Sequence, residues 1–335
     1  MRSLTYIIML AMLLLCTETC AQQAADGYLY AVLINGGRNR LTNHERYWND
    51  CAFLYRTLRQ TLHLPKRHIT VMMSDGGAPG EDMLRADGRG FRSSSADLDG
   101  DGEWDVDYPA DQQTVDRVLY NLSRRLTSED HLFLFIIDHG GSHDQETDSF
   151  IWLWADSQMD DYALASLLSL FNVASLNVVM GQCYSGGFIS DLMRSGRIVA
   201  TACRGDEQSW ASPDRPYDEF VYHWICAVNG ADETGTAVNA DADGDGQVSM
   251  LEAFRYAEAH DRVNETPQYA SWPEELGGQW TFAGAFNGTL GISERTEDGP
   301  DSPGLWTLSG QRRQEAKGHA VYILREKGRT RKIVR

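Results

Sequence analysis

Between residues 28 and 202 the chain alternates between two hydrophobic periods, and this alternation limits its architecture more than any other feature. Residues 28–34, 69–73, 131–137, 176–180 and 198–202 are short, nearly continuous apolar runs, the pattern of strands buried on both faces. Between them run helical stripes. Cys51, Tyr55, Leu58 and Leu62 form one; Val115, Val118, Leu119, Leu122 and Leu126 a second; Leu164, Leu167, Leu168 and Phe171 a third. Strand, helix, strand in this order predicts an α/β fold, a mostly parallel sheet flanked by helices on both faces, with ligands at the carboxyl ends of the strands. Residues 150–154 read as a short added strand beyond that end, and residues 74–112 as a long Gly- and Asp-rich insertion.

The charge is divided unevenly. The chain has 335 residues and a formal charge of -18, which excludes a surface built to coat nucleic acid. Residues 22–302 carry 20 Lys and Arg against 45 Asp and Glu, whereas 303–335 carry nine against two. At the N-terminus Arg2 precedes an apolar run, too short to span a bilayer, that ends in Thr19-Cys20-Ala21. Residues 1–21 therefore read as a cleaved signal peptide, and the protein is expected in the periplasm, at the cell surface or outside the cell. No other run is long and apolar enough to cross a membrane. Cys51, Cys183, Cys203 and Cys226 remain, too few for a disulfide scaffold and without metal-type spacing.

Two of the buried strands end in reactive groups. Asp138-His139-Gly140-Gly141 follows the run 131–137, and Gly181-Gln182-Cys183-Tyr184-Ser185-Gly186-Gly187 follows 176–180. A thiol attacks a carbonyl as its thiolate, and a nearby imidazole can take the proton and later give it to the leaving amine. The backbone N–H groups of Gly140 and Cys183 are the candidate oxyanion donors. Gly181-x-Cys183-x-Ser185-Gly186 also fits the nucleophile elbow of an α/β-hydrolase acting on small esters, with His223, His260 or His319 as the later histidine.

The His-Gly turn and, about forty residues on, the Cys turn resemble the caspase, gingipain and legumain clan of cysteine peptidases. Residues 28–230 most resemble the legumain family. Val71-Met72-Met73-Ser74-Asp75, Ile137-Asp138-His139-Gly140, Val199-Ala200-Thr201-Ala202 and Glu207-Gln208-Ser209-Trp210 match its motifs, and Asp218 precedes Trp224 as the family's pocket Asp precedes a Trp. The resemblance implies a caspase-like fold, peptide or protein substrates, Cys183 as nucleophile and His139 as general base and acid. It also implies a pocket built from Arg46, Ser209 and Asp218 for a P1 Asn or Asp. Two positions depart from the family: Gly181 stands where it has Glu, and Tyr47 where its first loop has His after Arg.

The acidic segments follow a separate logic. Residues 241–252 fill an EF-hand loop, with Asp241, Asp243, Asp245, Gln247, Ser249 and Glu252 at the ligand positions, Gly246 at the turn, and a helical pattern after it. Asp97, Asp99, Asp101, Glu103 and Asp105 repeat the start of that pattern, but Tyr108 takes the place of the final Glu. Calcium is the expected ion at both, as a structural brace without a part in catalysis. Residues 22–295 form the expected peptidase domain and 296–304 a linker. Residues 305–335 read as three short strands of a basic β module resembling C-terminal sorting domains of bacterial secretion, which would make secretion machinery a partner. A calcium-stabilised surface binding protein with an inactive peptidase fold is the alternative of a different class.

Overall fold

A computed structural model describes residues 27–144 and 148–287, together with the backbone of strands within 304–334. In chain order the first unit contains β1 (Leu29–Asn35), α1 (Glu45–Arg56), β2 (Ile69–Met73), the two-residue strands β3 (Met83–Leu84) and β4 (Phe91–Arg92), and α2 (Gln112–Ser123). Then come β5 (His131–Ile136), β6 (Gly140–Ser142), β7 (Ser149–Leu153), β8 (Ser157–Asp160), α3 (Asp161–Leu168), β9 (Ser175–Met180), α4 (Phe188–Leu192) and β10 (Arg197–Thr201). The unit continues with α5 (Glu219–Asn229), α6 (Met250–His260), β11 (Gln268–Trp272), α7 (Leu276–Gln279) and α8 (Phe282–Asn287).

Six strands form the central sheet in the order β11-β10-β9-β5-β1-β2, parallel except for β11 at one edge. Alternate residues of each strand enter two separate cores. Leu33, Phe133, Phe135 and Val179 pack with α1, α5 and α6, where Trp224 stacks on Phe133 at 5.6 Å. Ile34, Leu134, Ile136 and Met180 pack with α2, α3 and α4. Burial on both faces is why these strands read as nearly unbroken apolar runs.

The five apolar runs all become strands, and residues 150–153 of the added run lie in β7, the middle of a three-stranded antiparallel sheet, with Trp154 just beyond it. That sheet begins at Gly140, which pairs with Ile151, so the glycines after His139 are strand residues as well as a turn. Edge strand β11 left no clear sequence signal: four of its residues are half-buried, the fifth exposed, and Gln and Ser interrupt it. The first helix ends in a π turn, Thr57–Thr61, so Leu62 lies beyond it. Part of the 74–112 insertion covers the free edge of β2, where Met73 N–H donates to the Tyr108 carbonyl at 3.0 Å.

In the second unit, strands Gly304–Thr307, Arg312–Arg313, Val321–Glu326 and Arg329–Val334 form a four-stranded antiparallel sheet. The signal-peptide reading and nearly all of the linker fall outside the described residues. Among the described residues no helix is long and apolar enough to cross a membrane.

Candidate active site

The sheet reverses its winding between β1 and β5: the chain leaves β1 for β2 at the edge, then returns to β5 on the other side of β1. Such a switch point opens a crevice at the carboxyl ends of the strands. Strand register then decides what meets there. Ile136 pairs with Met180 across β5 and β9. His139 lies three residues beyond Ile136 and Cys183 three beyond Met180, so two parallel strands deliver both groups at equal heights. The turns touch: a side-chain carbon added to Gly140 would overlap the carbonyl oxygen of Cys183. That obstacle is backbone, so no rotamer change relieves it. Gly140→Ala is accordingly expected to lower turnover of any Cys183-dependent reaction by about 10²-fold by parting the two turns, with little effect on substrate affinity.

His139 is held by the loop after β1. Its Nε2 lies 3.0 Å from the Thr42 carbonyl. A carbonyl only accepts, so Nε2 carries the proton and Nδ1 is the basic nitrogen. Burial, with the Arg46 charge adding to it, lowers the imidazole pKa, so the ring rests neutral. Nδ1 is 3.3 Å from the hydroxyl of Tyr47, a buried residue whose burial pushes its pKa well up. That hydroxyl accepts from Arg46 Nη2 at 2.9 Å and donates to the imidazole. Asp138 pins both loops: its carboxylate accepts from His139 N–H at 2.6 Å and from Gly37 N–H at 2.7 Å.

Cys183 is partly buried, and burial raises its pKa. Its thiol donates to the Ser209 carbonyl at 3.6 Å, so thiol and imidazole rest unbonded, both neutral. Such contacts often tighten only when substrate arrives. The N–H of Cys183 finds no acceptor among the described residues. The strained turn after it holds Tyr184 at φ 59°, in the left-handed region.

Arg46 and Asp218 meet although 172 residues separate them: Arg46 Nε lies 2.9 and 3.1 Å from the two carboxylate oxygens. Burial opposes the guanidinium charge, but the Asp218 carboxylate outweighs it and raises its pKa. Fully buried Asp50 accepts from Asp218 N–H at 3.2 Å, and burial, then the Asp218 charge, lifts its own pKa well above the carboxylate range. A side-chain carbon at Gly181 would lie 2.5 Å from Ile137 Cδ1 and 2.7 Å from Val221 Cγ1. Apolar side chains therefore fill the space that a longer residue at 181 would need. The spacing of the motifs did not disclose Tyr47 as a partner of His139, the Thr42 carbonyl, or Glu265, whose carboxylate accepts from Trp210 N–H at 2.8 Å. Of the later histidines of the ester-hydrolase reading, His223 packs 5.6 Å from His260 and lies 3.5 Å from Glu219, and His319 lies outside the described residues.

Both acidic loops are folded alike. Asp241 accepts from the N–H groups of Gly244 and Gly246, as Asp97 does from Gly100 and Gly102; Asp243 accepts from Asp245 N–H and Asp245 from Gln247 N–H, as Asp99 does from Asp101 and Asp101 from Glu103. Glu252 folds back to accept from Ala242 N–H at 2.9 Å while completing a capping box with Ser249 on α6. One carboxylate oxygen each from Asp241, Asp243 and Glu252 lies within 4.8 Å of the others, the span of two ligands across a calcium ion. The oxygens of Asp97, Asp99 and Asp105 do the same. Asp105, however, is already bound by Lys66 Nζ at 2.8 Å and Tyr55 hydroxyl at 2.7 Å, and Tyr108 is used through its backbone at the edge of β2.

The family model of the peptidase C13 family matches residues 29–237. No curated protein matches the chain. Among solved structures, protein GSU0716 from Geobacter sulfurreducens is similar at 12% identity and a TM-score of 0.41, covering 72% of this chain and 92% of that one.

Proposed function

The chain belongs to the peptidase C13 family, the legumain family of cysteine peptidases, and on that premise we propose that it is an endopeptidase in which Cys183 is the nucleophile and His139 the general base and acid. The observation that carries this reading is the shared register of β5 and β9, which sets both groups at one rim with their turns in contact. In the proposed reaction the Tyr47 hydroxyl, which donates to His139 Nδ1 at rest, turns away, and the thiol swings from the Ser209 carbonyl to Nδ1 and gives up its proton. The sulfur then attacks the scissile carbonyl, the N–H groups of Cys183 and Gly140 hold the oxyanion, and His139 protonates the leaving amine. Water, deprotonated by the same imidazole, releases the acyl group. A neutral imidazole with Nε2 fixed on Thr42 suits both transfers.

The proposed P1 pocket is formed by Arg46, Ser209 and Asp218. Paired charges of opposite sign offer both donors and acceptors, which favours Asn, with Asp favoured once an acidic medium protonates it. Cleavage of a P1-varied peptide library by the mature protein, with Cys183→Ala as control, tests this. Asn should lead. Arg46→Ala should lower kcat/KM for it by about 10²-fold, because removing one partner leaves Asp218 buried and unpaired. A preference for Lys or Arg would overturn the pocket.

For the acidic loops we propose structural calcium, tighter at 241–252 than at 97–105, where the Lys66 ammonium already neutralises Asp105. Export through residues 1–21 and sorting through 305–335 complete the proposal, resting on the sequence pattern. The binding-protein alternative shares the fold and differs only in whether Cys183 reacts.

A further inference from the structure

Segment 261–266, which follows α6, carries a pair of carboxyl groups that the reaction above does not use. It is tied to the loop of the proposed substrate wall at three points. Glu207 accepts from Thr266 N–H at 3.0 Å and from Thr266 Oγ1 at 2.9 Å, and Glu265 Oε2 accepts from Trp210 N–H at 2.8 Å. The third bond matters most. The peptide unit whose N–H binds Glu265 is the one whose carbonyl, that of Ser209, accepts the Cys183 thiol. One rigid plane thus links Glu265 to the nucleophile.

Glu265 cannot be an ordinary carboxylate. Its Oε1 and Asp261 Oδ2 are buried and meet no N–H or O–H donor among the described residues, and the two carboxyl groups are neighbours on this short segment. Two carboxylates only accept, so neighbouring carboxyl groups with buried, donorless oxygens are satisfied together only by a proton held between them. The surroundings leave few other remedies. The Ser209 hydroxyl stands beside Glu265 without reaching hydrogen-bond geometry. The Cys183 thiol feels the Glu265 charge, Glu219 of α5 faces Asp261, and Asp261 accepts from Val263 N–H at 3.0 Å. Arg262, the nearby cation, is bound at 2.9 Å by both Glu219 and Asp214. Burial first, and the Asp261 charge second, hold the Glu265 carboxyl well above the usual range.

We propose that Asp261 and Glu265 share one proton, and that the pair fixes the Ser209–Trp210 peptide, making Glu265 a positioning residue for Cys183 and for the substrate wall. The role in catalysis rests on the peptidase reading of Cys183. When the proton leaves to solvent, two adjacent carboxylates repel, the peptide loses its anchor, and a negative charge appears beside a sulfur that must itself become an anion. The site should therefore fail from the alkaline side through substrate binding.

The test uses the full chain as wild type, Glu265→Gln and Glu265→Ala. Gln reproduces the protonated acid, since its carbonyl accepts from Trp210 and its amide donates to Asp261. In the wild type the fold retains a proton that the unfolded chain releases above the ordinary glutamate range. Stability is therefore lost as pH rises, and the Gln variant escapes that loss. Its melting temperature should gain about 3 °C on the wild type between pH 5 and pH 8. In turnover, Ala should raise KM about tenfold with kcat within about threefold. Gln should recover most of that loss and abolish the rise of KM that the wild type shows in alkali. Melting curves that keep a constant separation across pH overturn the shared proton however active the enzyme is. A Gln variant as impaired as Ala, or one with the wild-type alkaline rise, overturns the positioning role. A wild type inert on every peptide defeats the peptidase reading instead, and the melting series still decides the pair.

Discussion

Cys183→Ala is expected to abolish peptide cleavage, and His139→Ala to lower kcat/KM by at least about 10³-fold, with neither change moving the melting temperature by more than a few degrees. The magnitude follows from the resting geometry. With a thiol raised by burial and an imidazole lowered by it, almost no thiolate exists until the proton crosses to Nδ1. Without the imidazole the acceptor for that proton is gone, and the Ser209 carbonyl that holds the thiol cannot take it. The Nε2 bond to Thr42 sets the direction of the effect at acid pH too. Protonating Nδ1 removes the base, so activity should fall on the acid side as His139 titrates, below the range of an exposed histidine. A profile of kcat/KM against pH reads this directly.

Removing calcium should give the largest change in stability. Two or more carboxylates brought within 4.8 Å repel unless a cation sits between them. For a site with a Kd of about 0.1 mM, about 2 mM calcium contributes about 2 kcal/mol by mass action. Chelation should therefore lower the melting temperature by about 5 °C. Asp243→Ala should remove most of that response, since Asp243 lies outside the helix cap. Glu252→Ala should cost about 1 kcal/mol more even without calcium, because Glu252 also closes the capping box of α6. A melting curve unchanged by millimolar calcium would contradict the ion assignment and leave the peptidase untouched.

How much of this is legible in the chain differs between strand and loop. The interval of 44 residues from His139 to Cys183 is the same as that from Ile136 to Met180, so the meeting of the two groups is a consequence of strand register. Five apolar runs disclose those strands because burial on both faces leaves few polar residues to interrupt them, Thr70 and Asn177 among them. The pairing of Arg46 with Asp218 is legible only through family resemblance, since no local period links residues 172 apart. Glu265 escapes both routes. It acts on a peptide plane through a backbone bond, and backbone partners leave no mark in side-chain spacing. Position 181 shows a subtler limit, because whether a side chain there faces the pocket or the core depends on Ile137 and Val221.

The central claim is that Cys183 reacts because His139 takes its proton. An Asn-terminated peptide carrying a thiol-reactive group, incubated with wild type and with His139→Ala at equal concentration, tests it by mass spectrometry. The account predicts a single adduct on Cys183 in the wild type and a rate lower by at least about 10²-fold in the variant. Equal, slow labelling of both chains would contradict it and leave the fold without its proposed chemistry.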